Sequence, residues 1–204
     1  MRNRLFMILF LLYDSVNGQG TMGLEGYYYT GHRLSSAWVP KIDYESSNRW
    51  YGEARYNYEA EQSLSLYAGR TFRKRDTLSY CITPLAGIVI GKFKGAAVGM
   101  NMGLDYKNLF FSAAPEYIFS GEKENGSFFF NWSELVYQIT KHICAGFALQ
   151  QTCVHNTMML WEPGIEAGIS FGEWTFPVYA FNPAGNKRYF ILGVAREWEH
   201  HKKP

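Results

Sequence analysis

The sequence predicts an all-β fold, an antiparallel up-and-down transmembrane β-barrel of about 12 strands, with 10 or 8 as the alternatives. Three observations carry that prediction. Apolar and polar residues alternate with a period of two along nearly the whole chain, turn signals recur at roughly 15-residue intervals, and the N-terminus reads as an export signal. Arg49 to Ala60 shows the alternation most clearly. Trp50, Gly52, Ala54, Tyr56, Tyr58 and Ala60 alternate with Arg49, Tyr51, Glu53, Arg55, Asn57 and Glu59. One face is aromatic and small and is expected to meet lipid; the other carries four charges.

At the start of the chain, Arg2 and Arg4 precede a nine-residue apolar run, Leu5 to Tyr13. Nine residues cannot span a bilayer, which needs about 20. Val16-Asn17-Gly18 offers small or modest side chains for a signal peptidase, so residues 1–18 are read as a cleaved signal and 19–204 as the barrel. Removing Arg2, Arg4 and Asp14 from 20 basic and 18 acidic residues leaves 18 and 17, a net charge of +1. That balance argues against nucleic acid as a partner.

The strand segments follow in order: Met22 to Thr30, Trp38 to Glu45, Arg49 to Ala60, Ser63 to Arg73, Leu78 to Phe93 and Gly95 to Tyr106. Next come Leu109 to Phe119, Phe128 to Thr140, Ile143 to Cys153, Trp161 to Phe171, Trp174 to Phe181 and Arg188 to Trp198. The least regular are Met22 to Thr30 and Trp174 to Phe181. The run Phe128-Phe129-Phe130 interrupts the alternation, as a bulge or an interface girdle would. Leu64, Leu66, Val98, Met100, Met102, Leu104, Ile165 and Ile169 are expected to face lipid; Asn101, Glu116 and Glu134 to face the interior. Asp76-Thr77, Tyr106-Lys107-Asn108, Gly121 to Gly126, Gly172-Glu173 and Asn182 to Asn186 mark turns.

A soluble periplasmic β-barrel binding module would show similar alternation. Two features favour the membrane. Trp38, Trp50, Trp161, Trp174 and Trp198 lie near strand ends, matching interfacial girdles. Gly95, Gly99, Gly103, Gly164 and Gly168 lie on the polar faces, where a crowded lumen suits them better than an open surface does. The stretches Trp50-Tyr51-Gly52-Glu53-Ala54-Arg55-Tyr56-Asn57-Tyr58-Glu59 and Phe130-Asn131-Trp132-Ser133-Glu134-Leu135 resemble strands of uncharacterised small outer-membrane β-barrel proteins. The resemblance implies a fold and a place in the outer membrane of a Gram-negative bacterium, and no activity. Such barrels often end on an aromatic residue; here Trp198 is followed by Glu199 to Pro204, a departure from that pattern.

The inward charges are the candidate functional residues: Lys41, Asp43, Glu45, Arg49, Glu53, Arg55, Glu59, Glu116, Glu134, Glu162 and Glu166. Charges lining a lumen tune what enters it, and they equally form self-neutralising networks, because arginine forks satisfy carboxylates well. Glu162 and Glu166 lie on one strand face, and an Arg or Lys partner is expected for them. A lipase- or deacylase-like lipid-modifying enzyme needs a nucleophile, a base and an orienting group. The five histidines give no His-x-Ser or Ser-x-His, and no Gly-x-Ser-x-Gly occurs. The expectation is therefore a non-enzymatic barrel, either a narrow pore for small solutes or a structural membrane protein. No cofactor and no metal are expected. Cys81, Cys144 and Cys153 lack a Cys-x-x-Cys pair and are read as small packed residues. Outer-membrane lipid, the outer-membrane assembly machinery and small solutes are the expected partners.

Overall fold

The computed structural model describes residues 20–31, 34–122, 126–155 and 157–200. The proposed signal and its cleavage site lie outside them. All the regular structure among the described residues is β: β1 (Gly20–Gly31), β2 (Leu34–Ser46), β3 (Trp50–Tyr56), β4 (Ser63–Arg70), β5 (Phe72–Lys74), β6 (Leu78–Gly91), β7 (Gly95–Tyr106), β8 (Leu109–Ser120), β9 (Phe128–Gln138), β10 (Ile143–Val154), β11 (Leu160–Phe171), β12 (Trp174–Phe181) and β13 (Tyr189–His200).

Apart from β4 and β5, each strand pairs antiparallel with its neighbours in sequence, and β13 pairs with β1, so the sheet closes. Strands β4 and β5 both pair with β6 in one continuous register and form a single stave. The ladder lapses at Arg70 and Thr71, beside Pro84, which has no N–H to give. Counting β4 and β5 together, the barrel has twelve staves. Closure removes the exposed edges that would be intolerable in hydrocarbon.

Both chain ends of the barrel lie at one rim, which is joined by short turns such as Lys107-Asn108 and Gly172-Glu173. At the tight Gly172 turn φ is +61° and a side chain would be strained. The opposite rim carries longer connections, including 57–62 and 182–188. Short turns on the terminal side are the periplasmic pattern of outer-membrane barrels, with the longer loops outside.

Register fixes which parity points outward. The outward set is apolar and open: Leu66 is 41% exposed, Val98 48%, Ile165 50% and Phe147 68%. On a water-soluble domain, so broad an apolar band would be an aggregation hazard; in a bilayer it is the solvent-matched face. Trp38 and Trp161 ring the outer rim, and Trp50, Trp174 and Trp198 the periplasmic one, as expected. The sixth tryptophan, Trp132, faces the lumen.

Three expectations need correction. Phe128-Phe129-Phe130 forms neither bulge nor break, since β9 keeps its register with β8 throughout. Phe128 and Phe130 point inward against Phe93 and Tyr58, and the alternation continues beneath them. Strand β3 begins at Trp50, so Arg49 sits in the periplasmic turn, exposed and with φ 67°. Strand β3 also ends at Tyr56, because Asn57 adopts the left-handed region at φ 60°. Tyr58 and Ala60, expected on the lipid face, therefore fold into the lumen.

Candidate functional site: the barrel lumen

Glycines make room for the large groups inside. A side chain on Gly87 would strike the Tyr67 ring at 2.6 Å, one on Gly164 the Phe181 ring at 2.8 Å, and one on Gly193 the Pro177 ring at 2.6 Å. The inward glycines thus act as seats for neighbouring rings. Of the glycines the sequence singled out, Gly168 seats the Cys144 sulfur in the same way.

Along the axis the lumen has two kinds of filling. Its outer half is packed by two apolar clusters. One groups Tyr67, Leu85, Val89, Phe93, Ala97 and Ile118, with Phe128 and Phe130 packed against it. The other groups Ala148, Tyr179, Phe181, Tyr189 and Ile191, with Tyr27, Tyr29 and Trp132 against it. The periplasmic half is polar and hollow. A cavity of about 490 Å³ is lined by residues including Glu25, Lys41, Asp43, Asn101 and Glu197. It shares Glu25, Lys41 and Asn101 with a central cavity of about 290 Å³ that reaches Arg55, Tyr58, Trp132 and Glu134.

Around the middle, one wall is a dense ion network. The Arg55 guanidinium bonds Glu53 on its own strand and reaches Glu116 on β8 at 2.9 Å, spanning the lumen. The Tyr58 and Tyr67 rings hold it from either side, at 4.4 and 4.6 Å from the guanidinium carbon. Glu59, expected on strand β3, instead lies in the 57–62 connection with its carboxylate fully buried. It accepts bonds from Ser65 and from the Tyr67 hydroxyl at 2.9 Å, which pins the connection inside the barrel. Burial pushes the Tyr58 phenol well above its usual range. Lys41 on β2 bonds Glu25 at 2.9 Å and lies 3.7 Å from both Asp43 and Glu53. The Tyr51 hydroxyl donates to Glu53 at 2.6 Å, and the Asn101 amide donates to Glu53 at 3.3 Å. Nearer the periplasm, Glu45 pairs with Arg73; Arg49 lines a rim recess with Glu45, Arg73 and Arg75.

The other wall, β9 to β12, is held differently. Glu134 accepts from the Trp132 indole N–H at 2.6 Å, the Tyr179 hydroxyl at 2.9 Å and the Ser112 hydroxyl at 3.4 Å. All three donors are neutral. Glu162 accepts from the Asn182 amide at 3.2 Å. Glu166 is 8% exposed, and its Oε2 is buried with no hydrogen-bond partner. The Arg or Lys partner expected for Glu162 and Glu166 is not among the described ion pairs. Lys41, Arg55 and Arg73 are held by Glu25, Glu116 and Glu45, and Arg196 on β13 by Glu173.

The sequence thus placed Lys41, Asp43, Glu45, Glu53, Arg55, Glu116, Glu134, Glu162 and Glu166 on the inward parity, where the structure has them. It missed Glu25, Tyr58, Tyr67, Trp132 and Tyr179 as site residues. Trp132 shared the parity of Glu134, a signal that was present. Nothing in the strand pattern announced that Tyr58 would turn inward. Among the described residues no cluster of His, Cys, Asp and Glu is arranged to hold a metal ion. Cys81, Cys144 and Cys153 are free thiols. His142 lies in the β9–β10 turn against Phe171, its Nδ1 2.9 Å from the Ser170 carbonyl, with no nucleophile shown beside it.

Comparison of the fold with solved structures returns porins. The chain matches the KdgM porin with a TM-score of 0.62 at 10% identity, covering 85% of this chain and 98% of that one. It matches the NanC porin with a TM-score of 0.61 at 10% identity, covering 88% and 100%. The molecule shares the β-barrel fold of these porins. Identities this low carry the architecture alone. A further match is the KdgM porin in complex with disordered oligogalacturonate, with a TM-score of 0.60 at 10% identity. No protein-family model matches the chain, and no curated relative matches it by sequence.

Proposed function

We propose that this barrel is a narrow passive pore for small solutes in the outer membrane of a Gram-negative bacterium. Residues 1–18 would direct export, and the outer-membrane assembly machinery would insert the barrel. Its relatives would be the small outer-membrane barrels without assigned activity that its strands resemble. The observation that carries the reading is the run of adjoining charge-lined cavities, with lining residues in common, from the periplasmic rim to Arg55 and Glu134 at the centre. A barrel needed only as a scaffold gains nothing from a hollow, charge-lined half, whereas a conduit needs one. The path narrows at the contact of Tyr58 with Phe130, at 5.6 Å between ring centroids, at the Arg55–Glu116 bridge and at the two apolar clusters beyond them. Tyr58 and Glu59 belong to a connection and not to the wall, so opening at Tyr58 requires the Glu59 bonds to Ser65 and Tyr67 to part, not the sheet. The lumen is a poor match for a polyanion such as oligogalacturonate, because its carboxylates outnumber its cations. Among the described residues no Ser–His pair is hydrogen-bonded through its side chains at the rim.

The same cross-lumen contacts support a second reading, a structural barrel whose interlocked side chains never part. Purified protein in a planar bilayer separates the two. The pore reading expects steady single-channel conductance that rises in Tyr58→Ala. Absence of conductance in both proteins, with the heat-modifiable gel mobility of a folded barrel intact, would eliminate the pore and leave the scaffold.

A further inference from the structure

The two lumen walls differ in charge balance, and that difference points to the solute. On the β2–β8 wall Lys41 and Arg55 are engaged by Glu25, Asp43, Glu53, Glu59 and Glu116. Those two cations are outnumbered by the acids around them. On the opposite wall Glu134 and Glu166 have neutral donors or none. Their placement is local and specific. Glu134 pairs across β9–β10 with Ala148, and Glu166 pairs across β10–β11 with Gly146. The small side chains of Gly146 and Ala148 therefore lie between the two carboxylates, leaving the space above β10 to them. Tyr179, opposite Glu166 in register, leans back to donate to Glu134 and closes one side of that space. Glu134 also lines the central cavity.

A carboxylate this enclosed, with one oxygen facing no donor, is costly unless a positive charge joins it. Two such groups flanking β10 repel each other until a positive charge joins them. The Arg49, Arg73 and Arg75 rim opposes this field, but it lies at the water interface, where screening is strong. The buried pair is screened much less, so the central charge outweighs the rim.

We infer that Glu134 and Glu166 form a binding station in the lumen for a monovalent alkali or ammonium cation, and that the conduit therefore passes cations in preference to anions. The inference rests on the pore reading for its transport half only. The station itself needs no flow. Both halves are tested with the doubly substituted Glu134→Gln/Glu166→Gln protein, whose amides keep the shape and remove the charge. In a planar bilayer under a potassium chloride gradient, the wild-type reversal potential should show cation preference. The cation-to-anion permeability ratio should fall by about threefold or more in the double variant. An anion-preferring wild type, or a ratio unmoved by the substitution, would overturn the inference while leaving a pore. If neither protein conducts, the pore reading fails and the station is judged by fluorescence instead. The Trp132 indole bonds Glu134, so a cation at the station lies beside it. Thallous acetate, a monovalent heavy-cation quencher, should quench a fraction of wild-type emission that is absent in the double variant. Equal quenching of the two proteins would show that no cation is held beside Trp132 and would overturn the station as well.

Discussion

The β2–β8 wall of the lumen and the β9–β12 wall bury carboxylates by opposite means. The first uses Arg55 and Lys41 as hubs, each shared among several acids. The second surrounds Glu134 with an indole, a phenol and a hydroxyl, and leaves Glu166 open. An arginine hub fixes geometry strongly, because removing it strands several charges at once. A shell of neutral donors fixes geometry more gently and leaves net negative charge. The first wall therefore constricts, and the second wall sets the charge of the path.

The sharpest way to break this contrast is Arg55→Ala. It leaves Glu53, Glu59 and Glu116 without their shared cation, and the loss should be about 3–5 kcal/mol. A lower urea midpoint for loss of the heat-modifiable folded band would show it. Adding Glu116→Gln should recover part of the loss, because one stranded charge disappears. A near-neutral Arg55→Ala would mean that the network is not a hub.

Next in size is a test of the lipid face. Met100 lies mid-strand on the outward parity of β7, and Met100→Arg should cost about 2–4 kcal/mol near the bilayer midplane. Asn101→Arg, one residue along and facing the acidic lumen, should cost clearly less. Comparing their folding midpoints in lipid vesicles checks both.

The smallest effect is expected on the second wall. Glu134→Gln keeps an acceptor for Trp132 and Tyr179 and relieves repulsion with Glu166. Its stability should stay within about 1 kcal/mol of wild type. A loss as large as that of Arg55→Ala would erase the distinction between the walls.

The barrel was legible because a two-residue period survives wherever one face meets lipid and the other a lumen. Gly95 to Tyr106 and Trp174 to Phe181 were read to the residue, the latter despite being one of the least regular segments. The inward parity of Glu53, Arg55, Glu116, Glu134 and Glu166 followed from the same period. What parity cannot carry is where a strand stops. Asn57 turns left-handed, and this moved Tyr58 from the expected lipid face into the constriction and lifted Glu59 off the wall. Nor does parity report which acids meet a cation. Partners such as Arg55 and Glu116 lie 61 residues apart and meet only across a closed lumen. The missing base beside Glu166 was invisible for the same reason: strand spacing says which face, not which opposite wall.

The assignment of one parity to lipid and the other to a water-reached lumen is tested most directly by single cysteines at neighbouring positions. Met100→Cys and Asn101→Cys would be placed in a background with Cys81, Cys144 and Cys153 replaced by serine, and reconstituted in lipid vesicles. A water-soluble maleimide should label position 101 and leave position 100 unmodified, while a lipid-soluble maleimide should reverse that order. Equal labelling of both positions by the water-soluble reagent would contradict the membrane barrel described above.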